Sequence, residues 1–232
     1  MSSKDSSLQE DCTLTAIINL YYDLHFPENA SGPGPLLIAC HGYGENKRHA
    51  MRVARECAPE GFAIAALQGF YQHIREPREQ GAPLRFGFGW LTNFKSEESV
   101  ALHHKFVLGI IEKLTSEELV DQSKIFLLGF SQTCALNFRF AFTHVEILRG
   151  VVGICGGIPG DWDTSELYKQ TNASVLYLHG VRDEFYTPER VKDFAAKLGQ
   201  RSHDIESKSY DAPHEITPAM REDIKAWLTS RV

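Results

Sequence analysis

Short apolar runs alternate with longer segments of helical periodicity along most of this chain. The apolar runs cover residues 36–40, 62–67, 125–128, 150–155 and 175–178. Continuous runs of this kind are typical of strands that are buried on both faces. Between them, residues 46–58 and 97–114 place apolar side chains every three to four positions, as on one face of a helix. Alternating strands and helices predict an α/β fold, a mostly parallel central sheet with helices on both faces.

The two ends of the chain extend this pattern. Residues 1–12 are polar and are interpreted as a flexible tail, whereas residues 13–24 predict an opening strand or hairpin arm. Further along, Thr187 and Thr217 each precede a proline, and both pairs predict a helix start with threonine as the N-cap. The helix after Thr187 is expected to run to about residue 198. We therefore expect a single domain over residues 13–232.

Residues 68–95 interrupt the alternation. This segment combines six aromatic residues with several glycines and prolines, which predicts an irregular, lid-like loop. A loop of that length in a compact domain is usually functional, and so many aromatic side chains would not remain in water. We expect Phe86, Phe88 and Trp90 to line an acyl-binding wall. The alternative is a small hydrophobic cluster beneath a long loop.

Composition narrows the classes of function. A formal net charge of −6 argues against a nucleic-acid partner, and no apolar stretch is long enough for an integral membrane segment. The first residues lack the apolar core of a signal peptide. The five cysteines are scattered without a Cys-x-x-Cys spacing, which favours reduced core thiols. Together these features predict a cytoplasmic protein.

The strongest chemical signal is Ser131, in the motif Gly129-Phe130-Ser131-Gln132-Thr133 between a strand and a helical stretch. A serine on such a turn forms a nucleophile elbow. In enzymes built around this elbow, an acid and then a histidine follow the serine along the chain. Asp183 and His214 occur in that order, each after a strand-like run. Because such groups gather at the carboxyl ends of parallel strands, we expect the three side chains to meet.

In that arrangement each side chain has a distinct role. Ser131 is the expected nucleophile, and His214 is the general base that takes its proton. Asp183 orients the imidazole and stabilises its charged form. Asp161 and Asp163, after the strand that ends at about residue 155, stay open as alternative acids.

Two backbone N–H groups should form an oxyanion hole beside the serine. The residue after the nucleophile, Gln132, supplies one. The other is expected from the loop after the strand at 36–40, where Tyr43 is the first choice and Gly44 the fallback. Gly44 is also expected to border the substrate.

The sequence predicts no metal and no cofactor. Adjacent His103 and His104 do not share a helix face, so they make a poor pair of metal ligands. The glycine-rich fingerprint of dinucleotide-binding proteins is also missing.

Taken together, these motifs resemble the phospholipase/carboxylesterase family of the α/β hydrolases, which includes acyl-protein thioesterases. The resemblance runs from about residue 36 to the C-terminus. It rests on His41-Gly42-Tyr43-Gly44-Glu45, Gly129-Phe130-Ser131-Gln132, His179-Gly180-Val181-Arg182-Asp183 and His214-Glu215-Ile216-Thr217-Pro218. It implies an α/β-hydrolase fold and hydrolysis of carboxylic esters or thioesters without a cofactor. It assigns the triad to Ser131, Asp183 and His214 and the oxyanion donors to Tyr43 and Gln132.

The chain departs from the family pattern at Thr133 and Cys134, where two glycines usually follow Ser-Gln. A β-branched threonine could crowd the turn. The main expectation is a carboxylesterase for small to medium acyl chains that acts through an acyl-enzyme. Alternatives are an acyl thioesterase, a lysophospholipase, or a weakly active or inactive ligand-binding protein on a hydrolase scaffold. The expected partner is a small ester or thioester, and a homodimer stays open.

Overall fold

The computed structural model of the chain describes residues 9–28, 32–75 and 81–232. Its strands are β1 Tyr22–His25, β2 Gly34–Cys40, β3 Ala63–Leu67, β4 Tyr71–Arg75, β5 Arg85–Gly89, β6 Val120–Phe130, β7 Gly150–Ile154, β8 Ser174–Gly180 and β9 Ile205–Tyr210. Seven of them form one sheet in the order β1-β3-β2-β6-β7-β8-β9. Only the β1–β3 pairing in this sheet is antiparallel. The expected fold class, a mostly parallel α/β sheet, is confirmed.

The helices are α1 Lys47–Cys57, α2 Ser96–Ser116, α3 Gln132–Thr143, α4 Pro188–Val191, α5 Phe194–Gly199 and α6 Pro218–Thr229. Thr217 is the N-cap of α6, and its hydroxyl accepts a hydrogen bond of 3.2 Å from the Met220 N–H. Thr187 caps α4 without such a bond, and the helix expected to reach residue 198 is split into α4 and α5. Within the described ranges, no helix is long and apolar enough to cross a bilayer.

Both faces of the sheet are covered, which explains why the strand sequences read as continuous apolar runs. On β2, Leu36 and Ile38 belong to one buried cluster, whereas Leu37 and Ala39 belong to another. The first cluster includes side chains of α2 and α3, and the second includes side chains of α1 and α6. Alternate residues of one strand therefore pack against different helix layers, so neither face can be polar.

The opening strand is much shorter than expected. Of residues 13–24, only Tyr22 to Leu24 lie in β1, and the side chains of Leu14 and Ile17 are almost fully exposed. Strand β1 is limited by its partner, because its pairing with the short strand β3 covers only Tyr22–His25. Of the expected tail, residues 1–8 lie outside the described ranges, and residues 9–12 are exposed without regular structure.

Residues 68–95 are not an irregular loop, so that prediction is corrected. Strands β4 and β5 pair as an antiparallel hairpin, and residues 76–80 between them lie outside the described ranges. Glycine alternates with phenylalanine along β5, which made the segment look like a loop. Gly87 is required because a Cβ there would lie 2.7 Å from the Gly44 carbonyl oxygen. The hairpin therefore packs closely against the loop that follows β2.

The packing of α3 on β6 gives a stability prediction. A Cβ on Gly129 would lie 2.6 Å from Asn137 Nδ2 and 3.1 Å from the Thr133 carbonyl carbon. Gly129→Ala should therefore lower the free energy of unfolding by about 1–3 kcal/mol through overpacking. Gly109, on the exposed side of α2, has open space around it, so Gly109→Ala should raise that free energy by about 0.5–1 kcal/mol. Urea unfolding measures both values, and equal effects would contradict the close contact.

Candidate active site

Ser131 occupies a strained turn between β6 and α3. Its backbone has φ 55° and ψ −112°, a region that non-glycine residues rarely adopt. The Ser131 N–H donates a 2.9 Å hydrogen bond to the Ile154 carbonyl, which anchors the turn to the end of β7. The geometry is that of the expected nucleophile elbow, with the serine side chain at the carboxyl edge of the sheet.

Three side chains that are distant in sequence meet at that edge. The Ser131 hydroxyl lies 2.9 Å from His214 Nε2, and His214 Nδ1 lies 2.8 Å from an Asp183 carboxylate oxygen. Because the carboxylate can only accept at neutral pH, Nδ1 carries the proton and Nε2 is free to accept from the serine hydroxyl. Asp183 follows β8 and His214 follows β9, as the strand-end reasoning expected.

The Asp183 carboxylate is fully buried yet well supplied with donors. One oxygen accepts from His214, and the other accepts from the N–H groups of Phe185 and Tyr186, each at 2.8 Å. Burial alone would raise the pKa of Asp183, but these hydrogen bonds outweigh it and hold that pKa below its ordinary value. Asp183 is therefore ionised at neutral pH.

The two alternative acids are engaged elsewhere. Asp161 forms an ion pair with Arg139 at 2.5 Å and accepts from the Tyr168 hydroxyl at 2.6 Å. Asp163 pairs with Lys197 at 2.5 Å. Neither carboxylate is bonded to His214, so the structure brings only Asp183, of the three candidate acids, to the imidazole.

Cys155 is a neighbour of this group that the sequence reasoning treated as an ordinary core thiol. Its sulfur and the ligand atoms of Asp183 and His214 lie within 4.8 Å of one another. Burial, reinforced by the Asp183 charge, raises the pKa of Cys155 to about 12, so the thiol keeps its proton and is a poor metal ligand. Its place directly after β7, between the strand ends that carry Ser131 and Asp183, was the available signal.

The backbone N–H groups of Tyr43 and Gln132 have no hydrogen-bond partner among the described residues. Gln132 directly follows Ser131 at the start of α3, and Tyr43 lies in the loop between β2 and α1. The fallback donor is already occupied, because the Gly44 N–H donates to the Phe88 carbonyl at 2.9 Å. Gly44 has φ +79°, the left-handed conformation that glycine adopts readily.

The buried imidazole of His41 holds the loop that carries Tyr43, residues 41–46 between β2 and α1, called the Tyr43 loop. His41 Nε2 accepts from the Gly69 N–H at 2.9 Å, and Nδ1 donates to the Gly42 carbonyl at 2.7 Å. Burial lowers the pKa of His41 to about 4. The neutral ring that results is the form that can accept at one nitrogen and donate at the other.

Trp90 does not line a pocket, so that part of the predicted acyl wall is wrong. Its side chain is fully buried, and its indole N–H donates to the His41 carbonyl at 2.9 Å. Its backbone N–H donates to the Gln132 side-chain oxygen, also at 2.9 Å. Trp90 therefore ties the Tyr43 loop and the Ser131 turn to the same hairpin. The indole needed a buried acceptor, which sequence alone could not reveal.

The remaining predicted pocket residues divide by role. Gly44 and the half-exposed Phe86 line a cavity of about 330 Å³ beside the Tyr43 loop. Phe88 is partly buried and contributes through its backbone, accepting from Gly44 and donating to the Glu45 carbonyl at 3.1 Å. Phe86 thus borders open space, whereas the backbone of Phe88 fastens the hairpin to the loop.

Thr133 and Cys134 fit the turn without crowding it. The Thr133 hydroxyl accepts from the Phe130 N–H at 3.0 Å and donates to the Cys40 carbonyl at 3.1 Å. The Cys134 sulfur occupies space that a Cβ on Gly156 would fill, since the two would lie 2.4 Å apart. Glycines on the facing segments therefore make room for the larger side chains on α3.

Comparison with known proteins places the chain among esterases. The model of a family described as Phospholipase/Carboxylesterase matches residues 27–231. A probable feruloyl esterase C of Aspergillus niger is 28% identical over 171 residues, which are 70% of this chain and 54% of that protein. The chain thus spans about half the length of this curated relative.

Solved structures share the fold. A carboxylesterase of Bacillus cereus superposes with a TM-score of 0.70 at 17% identity, covering 92% of this chain and 95% of its own. Esterase PE8 gives 0.71 at 18%, covering 93% and 100%, and SOBER1 of Arabidopsis thaliana gives 0.65 at 18%, covering 85% and 98%. At such identities the likeness establishes the fold alone.

The bond from Trp90 to His41 predicts an asymmetry between two buried tryptophans. Trp90→Phe removes the indole donor and leaves the His41 carbonyl unsatisfied, which should cost about 1–3 kcal/mol beyond the loss of ring volume. Trp162 is equally buried, but its indole nitrogen has no partner among the described residues, so Trp162→Phe is the matched control. Chemical unfolding of both variants measures the difference, and a smaller loss for Trp90→Phe would contradict the bond.

The neutral His41 ring predicts acid sensitivity. Its folded pKa of about 4 lies below the ordinary value of 6.5, so the unfolded chain binds the proton first as the pH falls. Stability from this group is complete above pH 6.5 and declines as the pH falls toward 4. Urea unfolding should show a shallower decline over that window in His41→Asn than in the unchanged protein. Identical slopes would mean that His41 does not titrate as proposed.

Proposed function

Because the chain belongs to the phospholipase/carboxylesterase family, we propose that it is a serine carboxylesterase that acts through a covalent acyl-enzyme. The observation that carries the proposal is the unbroken hydrogen-bond chain from Ser131 through His214 to the buried Asp183. In this proposal Ser131, His214 and Asp183 are the catalytic triad, and the N–H groups of Tyr43 and Gln132 are the oxyanion hole. No cofactor takes part.

The first half of the reaction acylates the serine. As the Ser131 oxygen attacks the ester carbonyl carbon, its proton passes to His214 Nε2, and Asp183 stabilises the imidazolium. The carbonyl oxygen becomes negative and receives hydrogen bonds from Tyr43 and Gln132, helped by the positive end of the α3 dipole. When the intermediate collapses, the bond to the alkoxy oxygen breaks and His214 protonates the departing alcohol.

The second half releases the acid. Water takes the place of the alcohol, gives its proton to His214 and attacks the acyl carbon. The bond to the Ser131 oxygen then breaks, and that oxygen regains its proton from the imidazolium. The same oxyanion donors serve both halves because the negative charge develops on the same atom.

The proposed substrates are esters with small to medium acyl chains. Trp90 lies fully in the core, so it adds no wall to an acyl pocket. A thioesterase or lysophospholipase would use the same side chains. Relative rates on a matched oxygen ester and thioester, over acyl chains of increasing length, separate these activities from the one proposed.

The accommodation of Thr133 and Cys134 supports an active enzyme over an inactive binding protein. Thr133 and Cys134 donate to backbone carbonyls of the neighbouring strands β2 and β7, and Ser131 keeps its bond to His214. A cytoplasmic location is also part of the proposal, supported by four buried free cysteines among the described residues. A homodimer stays an open proposal, to be tested by light scattering.

Two substitutions test the proposed roles. Ser131→Ala should lower kcat/KM for p-nitrophenyl butyrate by about 10⁴-fold or more, because it removes the nucleophile. Asp183→Asn should cost about 10⁴-fold, because an amide can hold the imidazole in the wrong tautomer.

Asp161→Asn is the matched control, because Asp161 pairs with Arg139 outside the site. Its kcat/KM should stay within a few-fold of the unchanged protein. Retained hydrolysis in purified, folded Ser131→Ala would refute the nucleophile, and equal losses at 161 and 183 would refute the assigned acid.

A further inference from the structure

Two arginines face each other on the hairpin. Arg75 and Arg85 are directly opposed across β4 and β5. Like charges at opposed positions destabilise a sheet unless something offsets them. Among the described residues no carboxylate lies within salt-bridge distance of either guanidinium, whereas four other arginines pair with acids, namely Arg139, Arg182, Arg221 and Arg231. The pair therefore carries positive charge that no acidic side chain of the described residues neutralises.

The arginine pair lies beside the proposed oxyanion donor. Arg75 and Arg85 line the same 330 Å³ cavity as Gly44 and Phe86. A Cβ on Gly44 would lie 3.7 Å from the Arg75 guanidinium, so this side chain passes over the backbone next to Tyr43. The Tyr43 ring also stacks on the His73 ring, with centroids 4.5 Å apart. His73 and Arg75 are two positions apart on β4, so their side chains lie on the same face of the strand. A group held by the arginines would thus be close to an ester carbonyl at Tyr43.

Most other polar groups of this cavity are already engaged. One Glu45 oxygen accepts from the Gly42 N–H at 2.9 Å, and the other lies 3.3 Å from His49 Nε2. The Asn46 side-chain oxygen caps α1 by accepting from the N–H groups of Arg48 and His49. The two guanidinium groups, with the Asn46 amide N–H, are therefore the donors left to meet a ligand, and guanidinium groups match carboxylate or phosphate oxygens in a bidentate fashion.

From this arrangement we propose that Arg75 and Arg85 form an anion subsite that selects esters carrying a carboxylate or phosphate group near the scissile bond. The inference rests on the proposed esterase function and names its substrate class. The chain as a whole has a formal net charge of −6, so such a positive site would concentrate anionic substrates locally.

The test compares matched substrates. On the acyl side, the mono-p-nitrophenyl ester of glutaric acid is set against p-nitrophenyl butyrate. On the alcohol side, 4-acetoxybenzoate is set against its methyl ester. For at least one pair the unchanged protein should prefer the anionic member, and Arg75→Gln/Arg85→Gln should lower the anionic-to-neutral ratio of kcat/KM by about 10-fold or more. Competition by glutarate and by inorganic phosphate tells which anion is accepted.

Arg48→Gln is the control, because Arg48 is an exposed arginine of α1 that does not line the cavity. Its ratios should equal those of the unchanged protein, and the preference should weaken as salt is added. Unchanged ratios in the double variant for both substrate pairs would overturn the subsite. Such a result would leave the esterase proposal standing if neutral esters still require Ser131, whereas hydrolysis independent of Ser131 would defeat that proposal instead.

Discussion

A buried charge governs the architecture of this site. The Asp183 carboxylate is removed from water, which is very unfavourable for an ion unless hydrogen bonds replace its hydration. Two backbone N–H groups and the His214 imidazole supply those bonds. The same interaction that makes the buried ion tolerable also fixes the orientation and tautomer of the imidazole. The second imidazole nitrogen then lies 2.9 Å from the Ser131 hydroxyl, as the proposed transfer of its proton requires.

A second constraint is mechanical and centres on the hairpin. Trp90 holds the Tyr43 loop through His41 and the Ser131 turn through Gln132. The two proposed oxyanion donors come from segments almost ninety residues apart, so something must fix the distance between them. Trp90 does so with one hydrogen bond from its buried indole and one from its backbone N–H. The same hairpin carries Arg75 and Arg85, so the proposed selection of anionic substrates and the oxyanion geometry share one support.

Much of the site could be predicted from the sequence because it depends on strand ends. Ser131, Asp183 and His214 each follow a strand of a parallel sheet, and parallel strands bring their carboxyl ends to one edge. The predictions that failed depended on contacts between segments that are distant in sequence. The glycines of β5 read as loop residues, because only the Gly44 backbone opposite explains them. Three other findings also depend on contacts between segments far apart in sequence. They are the burial of Trp90, the bond that occupies the Gly44 N–H, and the position of Cys155 beside Asp183.

The central claim is that the Ser131 oxygen becomes covalently acylated during turnover. Rapid acid quenching of the protein with p-nitrophenyl butyrate, followed by peptide mass spectrometry, tests it directly. The account predicts a butyryl adduct on the peptide that contains Ser131, formed as fast as the first equivalent of nitrophenol is released. An adduct on Cys155 or another residue, or turnover with no adduct on Ser131 at any quench time and no burst of nitrophenol, would contradict it.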